Sequence, residues 1–143
     1  MSGEIAELSP RDRVHIIEAE MLKHPQREIP IRHHFSPGVY AREITIPQDT
    51  YVTGRVHKFA QLNILSGGEL SMWTEDGWIH LKAPYTVVSP PGTKRFAYAH
   101  TECTWTTILH TKETDPDRIE ELFTVATDQE YLKFVNDQKL IGE

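Results

Sequence analysis

Apolar residues recur at helical spacing near the start of the chain, where Val14, Ile17, Met21 and Leu22 form one stripe. Ser9 is placed to cap this segment, Pro10 suits a first helical position and Asp12 completes an acidic capping pattern, so residues 9–24 are predicted as a helix. His24-Pro25 ends it, because a residue before proline is pushed out of helical conformation. From about Ile29 to Thr111 the pattern changes. Pro30, Pro37-Gly38, Pro47, Gly67-Gly68, Asp76-Gly77, Pro84 and Pro90-Pro91-Gly92 punctuate short runs rich in Val, Ile, Thr, Tyr and Trp. The runs fall at 40–46, 51–65, 70–74, 78–81, 85–88, 95–99 and 104–110, and predict an antiparallel sandwich or barrel. Glu75-Asp76-Gly77 reads as a hairpin turn between two Trp-bearing strands. The tail returns to helix. Asp115-Pro116 opens one helix with Ile119, Leu122 and Phe123 on its apolar face. Thr127-Asp128-Gln129-Glu130 is a capping box for a second, followed by Tyr131, Leu132, Phe134 and Val135.

These elements divide the chain into an N-terminal helical segment (1–28), a β-rich body (29–112) and a C-terminal helical extension (113–143), within one compact domain. Hydrophobic residues make up 38% and charged residues 25%, which suits a globular chain with a real core. The net charge of −6 and the scatter of Lys and Arg exclude a nucleic-acid polymer as main partner, so any positive site must be local. Cys103, the single cysteine, can form neither an internal disulfide nor a structural zinc site, and reads as a small buried residue. No apolar run approaches a membrane span, and a cytoplasmic location is the expectation.

The candidate chemistry lies in Gly54-Arg55-Val56-His57-Lys58-Phe59-Ala60-Gln61 and in Pro90-Pro91-Gly92-Thr93-Lys94-Arg95. Taken as one strand from 52 to 65, with or without a bulge, the first run puts Arg55, His57, Phe59, Gln61 and Asn63 on one face. Val56, Ala60, Leu62 and Ile64 take the other. A face so polar cannot lie in a dry core, since unpaired polar groups there cost a few kcal/mol each. It must line a wet cavity or meet partners.

Here the chain resembles the cupin superfamily over roughly 40–111. The Ser66-Gly67-Gly68-Glu69-Leu70 turn fits the end of that family's first motif, and Pro90-Pro91-Gly92-Thr93 fits the second. The His and Glu positions of the first motif fall on Arg55, His57 and Gln61, and its leading Gly on Asp49. The His of the second motif falls on Arg95, and its leading Gly on Pro84. The whole chain, including residues 33–43, also looks like a group of short cupin-like proteins of phages and bacteria. The resemblance implies a mainly β, cupin-like jelly-roll barrel. Its metalloenzymes hold Fe, Mn, Ni or Zn with three His and one Glu, and of those positions this chain keeps only His57. An amide and two guanidinium groups are poor company for a divalent cation, so no cofactor is favoured. If a metal is bound, His57 and His100 are the expected ligands, with His33, His34 or His80 as further recruits.

The same residues make an anion receptor. Guanidinium forks suit carboxylate or phosphate oxygens. The expected ligand-binding set is Arg55, His57, Gln61, Asn63, Arg95 and Tyr98, with Phe59, Tyr98 or Trp105 available to stack on a ring, for a sugar phosphate, nucleotide or carboxylate. The competing reading is structural, with Arg55 and Arg95 paired to Glu69, Glu43 or Glu102 and fastening strands together. Two other functions stay open. One is an enzyme, either a metal-dependent dioxygenase or a sugar-phosphate isomerase or epimerase with His57 as proton carrier. The other is a structural phage protein; a phage origin would put the chain in the host cytoplasm. His33-His34 reads as a solvated loop near the barrel mouth that sends at most one ring inward. His80 reads as lying on a strand that runs away from the pocket, His100 as exposed at a turn yet able to reach the site, and His110 as structural. Exposed sheet edges and the apolar tail predict a homodimer.

Overall fold

The computed structural model describes residues 8–142. Helix α1 (Pro10–Met21) is capped by Ser9, whose Oγ accepts from the Asp12 amide at 3.1 Å. It buries Val14, and the Trp73 indole donates to the Pro10 carbonyl at 3.1 Å, fastening the helix to the body. The strands of that body are β1 (Ile31–Ser36), β2 (Val39–Ile46), β3 (Thr50–Thr53), β4 (Val56–His57), β5 (Gln61–Gly67), β6 (Glu69–Thr74), β7 (Gly77–Lys82), β8 (Tyr85–Ser89), β9 (Phe96–Ala99) and β10 (Cys103–His110). Helix α2 (Pro116–Phe123) starts at the Asp115 cap, the short strand β11 (Thr124–Val125) follows, and α3 (Asp128–Gly142) closes the chain. The Thr127–Glu130 capping box forms as predicted, with the Glu130 amide donating to Thr127 Oγ1 at 3.1 Å.

One sheet is five-stranded, in the order β1-β2-β10-β5-β8, and another is four-stranded, in the order β3-β9-β6-β7. Every pairing is antiparallel. Ile46, Leu65, Leu70, Met72, Leu81, Cys103 and Trp105 fill the core of this jelly roll. The predicted hairpin is present, with Trp73 opposite Trp78 and Gly77 at φ 100. Among the described residues no helix is long and apolar enough to cross a membrane.

Two expectations need correction. The run 52–65 is not one strand. Its chain passes from the four-stranded sheet (β3) to the five-stranded one (β5), bending after Thr53 and again at Lys58-Phe59-Ala60, with β4 between the bends paired to β11. Face alternation therefore does not carry from Arg55 through to Asn63, because each bend resets it. The pair His33-His34 lies not in a loop but on β1, an edge strand whose residues are all exposed.

Candidate functional site

The crossing between sheets is stitched to the Pro90–Arg95 turn. The Gly54 amide donates to the Arg95 carbonyl at 3.1 Å, the His57 amide to Thr93 at 3.0 Å, and the Gly92 amide back to His57 at 2.7 Å. Gly92 has φ 84 and packs under the Tyr131 ring, where a Cβ would come within 2.9 Å of the ring. These bonds set His57 and Arg95 side by side, although 38 residues of chain separate them.

Both side chains line a cavity of about 680 Å³ between the sheets, of a size that suits small molecules. Its deep wall is apolar, with Ile44, Val52, Leu70, Met72, Ala97 and Trp105. Arg95 is the charged group set among them. Its guanidinium carbon lies 4.8 Å from the centre of the Trp105 ring. Its Nη1 donates to the Met72 sulfur at 3.0 Å, a weak acceptor, and its Nη2 is buried without a hydrogen-bond partner among the described residues. No carboxylate pairs with it among the described residues, so the interstrand salt bridges to Glu69, Glu43 or Glu102 do not form. Burial pulls Arg95 down to about 10, which leaves it charged at neutral pH. His57 is pushed down to about 4, by burial first and then by the charges of Arg95 and Arg42, so its imidazole is neutral at pH 7. Its ring makes no hydrogen bond among the described residues.

The other charges at the wall are mostly engaged. The Lys94 ammonium, 4% exposed, donates to Glu18 at 3.0 Å and to the Gly54 carbonyl at 2.6 Å. Burial pushes the Glu18 carboxyl up, but hydrogen bonds from Thr53 and Lys94 and the charge of Lys94 outweigh it and hold the group below its ordinary value. Arg27 bonds the Gln48 carbonyl and Thr50 Oγ1. Arg55 sits at the rim, half exposed, in an ion pair with Glu120 at 3.1 Å and a hydrogen bond to Thr124 at 2.8 Å. Arg42, which sequence reasoning missed, lies exposed at the cavity wall without an ion pair among the described residues. It stands in register with His33 on one side and Thr107 on the other, and all three line the cavity. The period-two alternation of Tyr40, Arg42, Ile44 and Ile46 could have found it.

Of the expected ligand-binding residues, the structure brings Arg55, His57 and Arg95 to the cavity and leaves Gln61, Asn63 and Tyr98 off its wall. Asn63 is fully buried, and its amide is saturated by Ser89 at 3.0 Å and Thr107 at 2.9 Å, tying β5 to β8 and β10. Gln61 is 4% exposed, with both amide atoms unpaired among the described residues. The Tyr98 hydroxyl donates to Asp49 at 2.8 Å. Phe59 packs edge-on against Phe123 and Phe134. His33 reaches the cavity with Nδ1 2.6 Å from the Tyr40 hydroxyl, whereas its neighbour His34 turns to Glu43. His100 bonds Ser71, and His80 bonds Glu69, both away from the cavity. Cys103 is buried with its thiol pushed up by burial, as befits a packing residue.

The barrel has the cupin fold. It is similar to a cupin superfamily protein from Desulfitobacterium hafniense, at 13% identity over 64% of this chain and 85% of that one, with a TM-score of 0.50. It is also similar to the cupin domain of an XRE family transcriptional regulator from Enterobacter cloacae, at 12% identity over 61% of this chain and 100% of that one, with a TM-score of 0.50. No protein-family model and no curated protein sequence matches the chain. The fold that the motif resemblance implied is thus the fold found. The divalent metal common in cupins fits these residues poorly. Arg95 places a fixed positive charge beside His57, and the carboxylates at the wall include Glu18 and Glu120, already engaged by Lys94 and Arg55. His100 lies away from the cavity that His57 lines, and no cluster of three or more His, Cys, Asp or Glu able to hold a metal occurs among the described residues.

Proposed function

We propose that this chain is a receptor for a small anionic molecule, held in the barrel cavity with Arg95 as its principal contact, His57 beside it, and Arg42 and Arg55 nearer the mouth. One observation carries the reading: a buried guanidinium without a carboxylate partner among the described residues, lining a cavity of about 680 Å³ whose deep wall is apolar. Burying an uncompensated charge costs several kcal/mol, and an anion arriving in the cavity repays that cost. Once there, it meets a fork of N–H donors in a low-dielectric setting, where such bonds are strongest.

A thermal-shift panel of organic acids, sugar phosphates and nucleotides on the whole chain tests this. At least one anion should raise the melting temperature, and Arg95→Met should abolish the rise while conserving much of the packing on Trp105. Arg55→Ala should weaken the response only slightly, because Arg55 is half exposed and already paired with Glu120. A panel without a stabilising anion, or an Arg95→Met variant that responds like the parent, would refute the receptor reading.

A further inference from the structure

The anion can be narrowed by chemistry. We infer that the cavity takes a monocarboxylate with an apolar body, an aliphatic or aryl-alkyl acid, whose carboxylate sits on Arg95; this rests on the anion-receptor reading above. Charge matching is the first argument. Arg95 is a cation with no carboxylate partner among the described residues, whereas Lys94 and Arg55 are neutralised by Glu18 and Glu120, and Arg27 spends its donors on Gln48 and Thr50. Arg42 also lines the cavity and its charge reaches His57, but it is exposed, so water and salt weaken its hold on an anion relative to that of Arg95. A carboxylate brings one negative charge, whereas a phosphate monoester brings about −1.5 to −2 and would leave charge unmatched in a low-dielectric wall. His57 adds a neutral imidazole, able to donate one hydrogen bond to a second carboxylate oxygen, but no second cation.

The one helix start at the cavity among the described residues is also ill suited to cradle a phosphate. Helix α2 begins at the cavity wall with Pro116, which has no amide N–H, and Asp117, whose amide is already served by the Asp115 carboxylate. That end is acidic and repels a phosphate. The remaining argument is the wall itself. Arg95 lies against Met72 and Trp105, and Ile44, Val52 and Leu70 line the same cavity. A sugar or nucleotide would bury hydroxyls against those side chains without partners, at a cost for each, whereas an alkyl or aryl body gains from every methylene removed from water.

Calorimetric titration of the whole chain separates the possibilities. The probes are butanoate, hexanoate and octanoate, the uncharged octanamide, and glucose 6-phosphate and adenosine monophosphate. Octanoate should bind, and affinity should rise by about threefold to fourfold per methylene along the acid series. Octanamide should bind at least about tenfold more weakly than octanoate, a comparison that needs no variant. Arg95→Met should lose the same factor. An acid series flat in chain length, or a phosphate compound that binds more tightly than octanoate, overturns the monocarboxylate inference and leaves the anion receptor standing. Octanamide binding as well as octanoate, or no binding by any acid or phosphate, overturns both.

Discussion

His57 shows how much one position can depend on its neighbours. Burial and the guanidinium groups of Arg95 and Arg42 push its imidazole from 6.5 down to about 4. In the unfolded chain the ring regains its ordinary value. Between about pH 6.5 and pH 4 the unfolded chain therefore binds a proton that the folded chain refuses. The contribution of the neutral ring to stability is whole above the higher value and is lost as the pH falls through that window. Its full size is about 3 kcal/mol. Glu18, also held below its ordinary value, adds a loss of the same sign only at the acid end. Urea denaturation at pH 7.5 and pH 5.0 should show the parent losing about 1–2 kcal/mol of stability and His57→Gln losing clearly less. Equal losses in the two proteins would show that His57 is not the group titrating. Asp49 teaches a different lesson at the same scale. It stands where the cupin motif has glycine, and its φ is 60, a left-handed conformation that aspartate tolerates better than most residues. Tyr98 holds its carboxylate in place.

Among the elements, the corner between β5 and β6 leaves no room for a side chain at Gly68. Gly68 has φ 89, and a Cβ there would lie 2.3 Å from the Glu102 carbonyl and 2.8 Å from the Cys103 sulfur. Gly68→Ala should destabilise the chain by about 2 kcal/mol or more, read from the urea midpoint, because neither the backbone angle nor the contact can relax cheaply. Gly67→Ala, where a Cβ meets only Thr104 at 3.6 Å, should cost much less; equal effects would refute the steric account. That corner was legible in the sequence because Ser66-Gly67-Gly68-Glu69 carries its own geometry. Strands with one buried face, such as β2, β6 and β10, were legible for the same local reason: their apolar residues alternate. The crossing from β3 to β5 was not. Its residues alternate in type straight through two bends, and the bends are fixed by partners far along the chain, Thr93, Arg95 and Phe123. Edge strand β1 has no buried residue to set an alternation. The candidate site was half legible for a related reason. Sequence gives the type of Asn63 and Gln61 and the inward face of β5, but not that Ser89 and Thr107 consume the Asn63 amide. The pairing of Arg55 with Glu120 spans two distant elements and leaves no local mark.

Across the whole molecule, both ends of the chain converge on the turn that carries Arg95. From α1, Arg11 bonds the Gly92 carbonyl and the Asp128 carboxylate, His15 bonds that same carboxylate at 2.6 Å, and Glu18 takes the Lys94 ammonium. From the C-terminal side, Tyr131 covers Gly92, and the Lys58 amide, next to His57, donates to the Phe123 carbonyl at 2.8 Å. The turn that carries Arg95 is thus held by helices outside the barrel as well as by the sheets. The Glu18–Lys94 pair is the sharpest place to test this, since it joins α1 to the residue beside Arg95 and its ammonium is 4% exposed. Glu18→Ala leaves a buried cation with the Gly54 carbonyl as its remaining acceptor and should cost about 3 kcal/mol. Lys94→Met should cost less, because Glu18 keeps Thr53 and partial access to water. The double variant Glu18→Leu, Lys94→Met removes both charges at once and should recover about 1–2 kcal/mol of the loss in Glu18→Ala. If the clasp positions Arg95, Glu18→Ala should also weaken anion binding severalfold under conditions where it remains fully folded, and the double variant should restore part of that affinity. Strictly additive stability losses, with anion affinity unchanged throughout, would mean that the helix is a passenger on the barrel and that the sheets alone hold the guanidinium in place.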